Sequence, residues 1–187
     1  MIRNTVPHII FSIIFFLTCN NLYSESTNWL PAKKGNKIIL IRHALAPGGG
    51  DPPGFDLKNC ETQRNLNQTG INQSLRIGQL FSNNNIPIDL VLSSEWCRCK
   101  DTAKYAFKKY EVFSDLNSTY QKPYDKKEKQ QIKNLKKYIQ NWNGKGGNLV
   151  LVTHYVIISA LTNYAPSSGE IVIIDKDLKI LSTINTF

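Results

Sequence analysis

Short continuous runs of apolar residues alternate along the chain with longer segments of mixed polarity. The apolar runs have the length of strands buried on both faces and occupy 37–41, 88–92 and 148–153. The longer segments predict helices over 67–84, 97–108, 125–142 and 155–162. Strands that alternate with helices in this way indicate an α/β fold, a three-layer α/β/α sandwich with a mainly parallel sheet.

The remaining segments are shorter or less regular. A short third strand is expected at 111–113, and the strands predicted at 170–174 and 179–184 are joined as a hairpin. Residues 27–36 predict an irregular lead-in to the first strand. The segment 46–54 is rich in Gly and Pro and predicts a long loop after that strand.

Residues 1–26 have the features of a secretory signal peptide. Arg3 precedes a compact apolar run at 9–17, and small residues follow at Ser24 and Ser26. The apolar run is shorter than the roughly 20 residues of a membrane-spanning helix. We therefore expect cleavage and a periplasmic or secreted protein. The alternative is a membrane anchor formed by an uncleaved or lipidated N-terminus.

The residues after this leader, 27–187, are enough for one domain with its own core. They keep the formal charge of +9 of the whole chain, since the leader holds one arginine and one glutamate. A basic surface attracts phosphate esters, nucleic acids and anionic lipids alike. The most basic stretch, 125–142, has apolar residues at helical spacing, which predicts a core-packed helix with a solvated basic face. No nucleic-acid-reading motif accompanies it, so we expect no nucleic-acid partner.

Export would place Cys60, Cys97 and Cys99 in an oxidising compartment, where one disulfide can form among the three. A bridge between Cys97 and Cys99 would be strained, so the expected pair is Cys60 with either of them. The alternative is that all three are buried thiols. A metal or redox protein is disfavoured, because Cys-x-Cys lacks the usual zinc spacing and no Cys-x-x-Cys motif occurs.

Two histidines and two arginines fall at predicted strand ends. His43 and His154 each follow the carboxyl end of a buried strand. Arg42 adjoins His43, and Arg98 lies in the first turn of a helix that follows another strand. In open α/β sheets this edge binds ligands. Guanidinium groups form paired hydrogen bonds with phosphate, and a neutral imidazole can attack phosphorus. The four residues therefore predict a pocket for a phosphate dianion.

Four segments resemble motifs of the histidine phosphatase superfamily, in the branch that includes phosphoglycerate mutase. They are the Arg-His-Ala signature at 40–44, a helix start at 66–74, a Ser-x-x-x-Arg-x-x-x-Thr-Ala segment at 94–103 and the strand with the second histidine at 150–154. The four occur in family order and span most of 27–187. Loop sequences at 44–48 and 62–66 are also similar to a subgroup of exported bacterial members.

The resemblance implies a phosphoglycerate mutase-like fold and a metal-independent phosphatase, without a cofactor, for a phosphate monoester. His43 would be the nucleophile and would be phosphorylated during turnover. Arg42, Arg98 and His154 would hold the phosphoryl group. Arg64 lies outside the four motifs and is a further candidate for binding the substrate. The expected partners are small phosphorylated substrates, envelope-associated ones among them, with membrane contact only through the leader.

One departure from the family concerns the acid that protonates the leaving oxygen. Many members carry a carboxylate after the third strand, whereas this chain has Leu-Asn-Ser-Thr at 116–119. Glu95 is the candidate acid because it lies closest in sequence to the pocket residues, with Asp51 and Asp56 as alternatives. A missing acid also motivates a second hypothesis, a non-catalytic module on the same fold that binds phosphate or a phosphoprotein.

Overall fold

Six strands and five α-helices form within residues 28–187, the part of the chain that the computed structural model describes. The strands are β1 (Ile38–Arg42), β2 (Ile88–Ser93), β3 (Glu111–Val112), β4 (Asn148–Thr153), β5 (Ile171–Ile174) and β6 (Ile180–Ile184). The helices are α1 (Leu30–Lys33), α2 (Gln68–Asn83), α3 (Cys97–Phe107), α4 (Glu128–Asn141) and α5 (Tyr155–Thr162). The predicted signal peptide lies outside the described residues. Within them, no helix has the length and apolarity needed to cross a membrane.

The strands form one sheet in the order β3-β2-β4-β1-β5-β6. The first four strands of the chain run parallel to one another, β5 is antiparallel to β1, and β6 is antiparallel to β5. In the turn between β5 and β6, the backbone N–H of Asp175 donates to the carbonyl of Lys179 at 3.1 Å. The mainly parallel sheet and the final hairpin are therefore confirmed.

Alternate side chains of β1 enter two separate cores. Ile39 and Ile41 pack with residues of α2 and α3 on one face of the sheet, whereas Ile38 and Leu40 pack with residues of α4 and α5 on the other. All four side chains are fully buried. Helices thus cover both faces of the sheet, which explains the continuous apolar run and confirms the three-layer architecture.

The segment before β1 is more regular than the sequence predicts. The irregular lead-in expected over 27–36 is wrong, because Leu30–Lys33 forms a short helix. Pro31 stands in its first turn, where the fixed φ of proline suits a helix start. Trp29 is fully buried, with its ring centroid 5.2 Å from that of Phe81. Burial of this large side chain holds the segment against the core.

The basic helix is shorter than predicted but packs as expected. Residues Tyr124–Lys127 form a 3₁₀ turn, and α4 proper follows it. Leu135 and Ile139 of this helix are buried, whereas Lys133 and Lys137 are exposed. The helix therefore packs one face on the sheet and exposes its basic face to solvent.

Candidate active site

The carboxyl ends of β1, β4 and β2 lie next to one another at one edge of the sheet. Arg42 is the last residue of β1 and His43 follows it, while His154 follows β4 directly. Arg98 occupies the second position of α3, the helix that comes after β2. The fold thus brings four residues that are far apart in sequence to one place.

A small cavity of about 130 Å³ lies at this edge. Its lining residues are Arg42, His43, Gly48, Gly49, Gly50, Arg64, Arg98, Ser118, Tyr120, Gln121, His154 and Tyr155. Arg64, the candidate from outside the four motifs, is among them. Cavities for whole drug-sized ligands occupy roughly 300–1,000 Å³. This one suits a small anion, with the rest of an ester left outside.

A backbone hydrogen bond fixes the tautomer of His43. The side chain is 2% exposed, and its Nδ1 lies 2.8 Å from the carbonyl oxygen of Ala44. A carbonyl can only accept, so Nδ1 carries the ring proton and donates it. The lone pair therefore lies on Nε2, which has no hydrogen-bond partner among residues 28–187. Nε2 is therefore the ring nitrogen that is free to act as a nucleophile or to accept a hydrogen bond.

The ring of His154 lies beside that of His43, with centroids 5.4 Å apart. The hydroxyl of Ser94 is 3.0 Å from Nε2 of His154 and donates to Oδ1 of Asn117 at 3.1 Å. The same Oδ1 accepts the N–H of Glu95, which fixes the amide orientation. Because Ser94 gives its proton to Asn117, the Nε2–H of His154 donates to Ser94, and Nδ1 keeps the lone pair.

Both imidazoles are neutral at physiological pH. Burial lowers the pKa of His43 and of His154 well below the ordinary value, and the positive charge of Arg98 lowers both further. The sulfur of Cys99 lies 3.4 Å from Nε2 of His154. Burial raises the pKa of this thiol to about 12, so it stays protonated. The neutral form of His43, with its lone pair on Nε2, is therefore the resting form.

Arg98 forms a buried ion pair with Asp51. The side chain of Arg98 is 3% exposed and that of Asp51 is 2% exposed. Nη1 donates to Oδ1 at 2.8 Å and Nη2 donates to Oδ2 at 3.2 Å. Burial alone would raise the pKa of Asp51, but the hydrogen bonds and charge of Arg98 lower it below its ordinary value. Asp51 is therefore a carboxylate and not an acid at neutral pH.

The other two arginines are anchored by backbone carbonyls. Nη1 of Arg42 donates to the carbonyl of Pro166 at 2.9 Å, and its Cζ lies 5.2 Å from the ring centroid of Tyr155. Nε of Arg64 donates to the carbonyl of Gly50 at 2.9 Å. These contacts hold both guanidinium groups at the cavity without neutralising their charge.

The charges around the cavity suit a phosphate monoester dianion. Three guanidinium groups and the carboxylate of Asp51 leave two net positive charges. Nε of Arg42 and Nε of Arg98 are buried and have no hydrogen-bond partner in the described chain. An unpartnered buried donor costs about 1–3 kcal/mol, and an anion in the cavity would supply the acceptor. Nowhere in residues 28–187 do three or more His, Cys, Asp or Glu gather as a metal site would.

The structure does not bring the candidate acid Glu95 to the cavity. Its carboxylate accepts a hydrogen bond from Nδ2 of Asn117, and Glu95 is not among the lining residues. Asp56 is exposed and lies outside the lining. Asp51 is near, but it is ionised and paired. The position of Glu95 therefore does not support its predicted role as an acid.

A disulfide joins Cys60, in the loop after β1, to Cys97, the first residue of α3. Cys99 is a free, buried thiol. The prediction that Cys60 pairs with one of the other two is confirmed, with Cys97 as the partner. The bridge fastens the segment that carries Asp51 and Arg64 to the start of α3.

Sequence reasoning missed the residues at the rim of the cavity. Tyr120 is 55% exposed, and its ring centroid lies 6.0 Å from that of Tyr155. Gln121, beside Tyr120, accepts the backbone N–H of Asp51 at 2.8 Å. Only Tyr155 had a signal in the sequence, because it directly follows His154. Tyr120 and Gln121 belong to an irregular segment after β3 that no motif marks.

Comparisons with known proteins bear on the fold. Neither the scan against protein-family models nor the search of curated proteins gave a match. The protein histidine phosphatase SixA complexed with tungstate is similar, with a TM-score of 0.56 at 14% identity over 80% of this chain and 97% of that one. A SixA protein of Agrobacterium tumefaciens, assigned as a phosphohistidine phosphatase, has a TM-score of 0.55 at 18% sequence identity. The match covers 80% of this chain and 97% of that one. A mycobacterial glucosyl-3-phosphoglycerate phosphatase has a TM-score of 0.55 at 13% sequence identity, and the match covers 80% of this chain and 96% of that one. At such identities the likeness establishes a shared fold.

Proposed function

We propose that this protein is an exported phosphatase that hydrolyses a phosphate monoester through a phosphohistidine on His43, without a metal. The observation that carries the proposal is the unbonded Nε2 of His43 in a small cavity with two surplus positive charges. A neutral imidazole beside an anion-binding cavity is the arrangement that nucleophilic phosphoryl transfer requires.

In the first step, the Nε2 lone pair of His43 forms a bond to phosphorus while the bond between phosphorus and the ester oxygen breaks. The guanidinium groups around the cavity stabilise charge on the phosphoryl oxygens as it moves. The leaving oxygen takes its proton from water, because no free carboxyl group of the described chain lines the cavity. His154 lines the cavity beside His43, with its Nε2–H donated to Ser94.

In the second step, water attacks the phosphorus of phosphohistidine. The bond from phosphorus to Nε2 of His43 breaks, and that nitrogen recovers its lone pair. The protons of the attacking water leave with inorganic phosphate or pass to solvent, where they neutralise the hydroxide formed in the first step. The sum of the two steps is hydrolysis of the ester with His43 regenerated.

The names of similar structures support phosphatase chemistry. One is a protein histidine phosphatase bound to tungstate, which is a tetrahedral oxyanion like phosphate, and another is a glucosyl-3-phosphoglycerate phosphatase. The two are named for different substrates, so they favour the reaction and not a particular ester. We propose that the substrate is a small phosphorylated molecule, and esters of the cell envelope are among the candidates.

Export is proposed from the leader at residues 1–26, which has the n-region, apolar run and small residues of a signal peptide. The bridge between Cys60 and Cys97 supports it, because disulfides persist in oxidising compartments. A periplasmic or secreted protein is the resulting proposal, with an anchor at the N-terminus as the alternative.

A non-catalytic module that binds phosphate or a phosphoprotein is the second candidate. It is favoured by one observation, that the cavity lining in the described chain has no free carboxyl group. The neutral, unbonded Nε2 of His43 favours the phosphatase, because binding alone needs no nucleophile.

Hydrolysis of p-nitrophenyl phosphate by residues 27–187 tests the proposal, with a chelator present and His43→Ala as the variant. We expect metal-independent turnover that falls by at least about 10³-fold in the variant, because the covalent route is lost. Wild-type protein that is denatured in alkali during turnover should carry phosphate on His43, because the bond between phosphorus and nitrogen in phosphohistidine survives in base and breaks in acid. Equal turnover in both proteins would exclude His43 as the nucleophile. Tungstate binding without turnover in the wild type would favour the binding module.

A further inference from the structure

The guanidinium group of Arg98 has one occupied edge and one free edge. Such a group carries a pair of N–H bonds on each Nη and a single one on Nε. Nη1 uses its pair for Oδ1 of Asp51 at 2.8 Å and for the carbonyl of Arg64 at 3.3 Å. Nη2 gives one N–H to Oδ2 of Asp51 at 3.2 Å. The second N–H of Nη2 and that of Nε have no partner among residues 28–187.

The carboxylate of Asp51 is itself held from several sides. Its Oδ2 accepts the indole N–H of Trp96 at 2.9 Å, and its Oδ1 accepts the backbone N–H of Arg64 at 3.0 Å. The side chain is 2% exposed, and the backbone N–H of Asp51 is bound by Gln121. A carboxylate fixed in this way cannot follow Arg98, so Arg98 takes the orientation that Asp51 sets.

We propose that Asp51 is a positioning residue, which grips the Nη1–Nη2 edge of Arg98 so that the Nε–Nη2 edge is presented to the phosphoryl group. That edge is a parallel pair of donors, the geometry with which arginine binds two oxygens of a phosphate. The inference rests on the proposed function and deepens it, because it identifies what prepares the site for the anion. It also gives Asp51 a different task from that of the acid considered in the sequence.

A simpler role for Asp51 is that of a counter-charge, which offsets one of the three guanidinium groups without orienting it. The two roles predict opposite effects of Asp51→Asn. Removal of a counter-charge raises the positive charge of the cavity and tightens anion binding. Removal of the positioning carboxylate frees the Arg98 side chain, which must then be ordered when the anion binds, and so weakens binding.

The test is the Kd of tungstate, measured by calorimetry on the full chain. We expect Asp51→Asn to weaken binding by about 10- to 100-fold, the range of a hydrogen bond to a charged group. Asp51→Glu keeps the charge but displaces the carboxylate, and it should also weaken binding. Asp125→Asn, which removes an exposed carboxylate outside the lining, should leave the Kd unchanged.

The Nε–H signal of Arg98 provides a second measurement that a merely structural role of Asp51 would not affect. In ¹⁵N NMR spectra the signal is identified by its absence in Arg98→Lys. The Nε–H signal should shift when tungstate binds the wild-type protein. In Asp51→Asn it should shift far less, and this comparison can be made on folded variant even if its free energy of unfolding is lower. Unchanged or tighter binding in Asp51→Asn, with a wild-type response of Nε–H, would overturn the positioning role alone. A wild-type protein that binds no tungstate would overturn the proposed function as well.

Discussion

The contact between Nδ1 of His43 and the Ala44 carbonyl decides which nitrogen of the ring can react. Since Nδ1–H is committed to a carbonyl of the next residue, the ring can neither flip nor change tautomer without the loss of a buried hydrogen bond. The Arg98 guanidinium, which is paired with Asp51, lines the same cavity. The backbone carbonyl of Ala44 therefore orients His43, and the ion pair with Asp51 separately orients Arg98.

The buried neutral histidines should make stability depend on pH. Burial and then Arg98 hold the pKa of His43 and of His154 well below the ordinary value. The unfolded chain therefore takes up protons below about pH 6.5 that the folded protein does not. Stability should be fully present above that pH and fall as the pH decreases towards the folded-state pKa values. The expected slope is about 1.4 kcal/mol per pH unit for each histidine.

Urea unfolding between about pH 7.5 and pH 5 measures this slope. The variant His154→Gln removes one titrating group and should lower the slope by about half, whatever its stability at neutral pH. Identical slopes for the variant and the wild type would mean that the pKa of His154 is the same in the folded and the unfolded protein. Asp51 does not contribute in this range, because its pKa lies below its ordinary value.

At the scale of elements, the loop after β1 is held against α2 at a position where the helix has no side chain. A Cβ at Gly70 would lie 2.1 Å from the carbonyl oxygen of Leu45 and 3.0 Å from its carbonyl carbon. Both contacts are with backbone, which cannot move without moving the residues beside it. Leu45 lies two residues after His43, so this close approach helps to place the His43 ring at the cavity.

Gly70→Ala should therefore separate the helix from the loop. We expect a loss of about 1–3 kcal/mol in the free energy of unfolding, because the added methyl group overpacks the contact. We also expect a fall in kcat/KM, because the peptide group between Ala44 and Leu45, whose carbonyl accepts the hydrogen bond from Nδ1 of His43, would shift. The matched control is Gln79→Ala, on the exposed face of the same helix, which should change neither quantity. Urea unfolding and p-nitrophenyl phosphate kinetics on both variants provide the measurements, and wild-type values for Gly70→Ala would show that the loop adapts freely.

The regular elements were predictable from the sequence because their signals are local. The buried runs at 37–41 and 148–153 and the amphipathic helix at 67–84 appear at their predicted places, and Arg42, His43 and His154 follow strand ends that those runs define. The partner of Arg98 was not predictable in the same way. Asp51 reaches it from 47 residues away through an irregular loop, and no period or motif encodes such a contact. The rim residues were missed for the same reason.

At the scale of the whole molecule, the chain gathers positive charge at its cavity and lacks a free carboxyl group there. A surface of net charge +9 draws anions towards the protein, and the two surplus charges in the cavity select a dianion. Nothing among the described lining residues matches the general acid that many members of the resembled family use. In the proposed mechanism, proton donation to the leaving oxygen would therefore be left to water, which would limit the esters that react quickly.

Activity should depend steeply on the acidity of the leaving group. For aryl phosphates, kcat/KM covers the steps up to formation of phosphohistidine, and we expect it to fall as the pKa of the phenol rises. Alkyl phosphates should react about 10²- to 10⁴-fold more slowly than p-nitrophenyl phosphate, the usual contribution of a missing acid. Glu95→Gln should leave the slope of this series unchanged, because the Glu95 carboxylate is bound at Asn117 outside the cavity. A shallow slope that becomes steep in Glu95→Gln would restore Glu95 as the acid and require the loop that carries it to move when substrate binds.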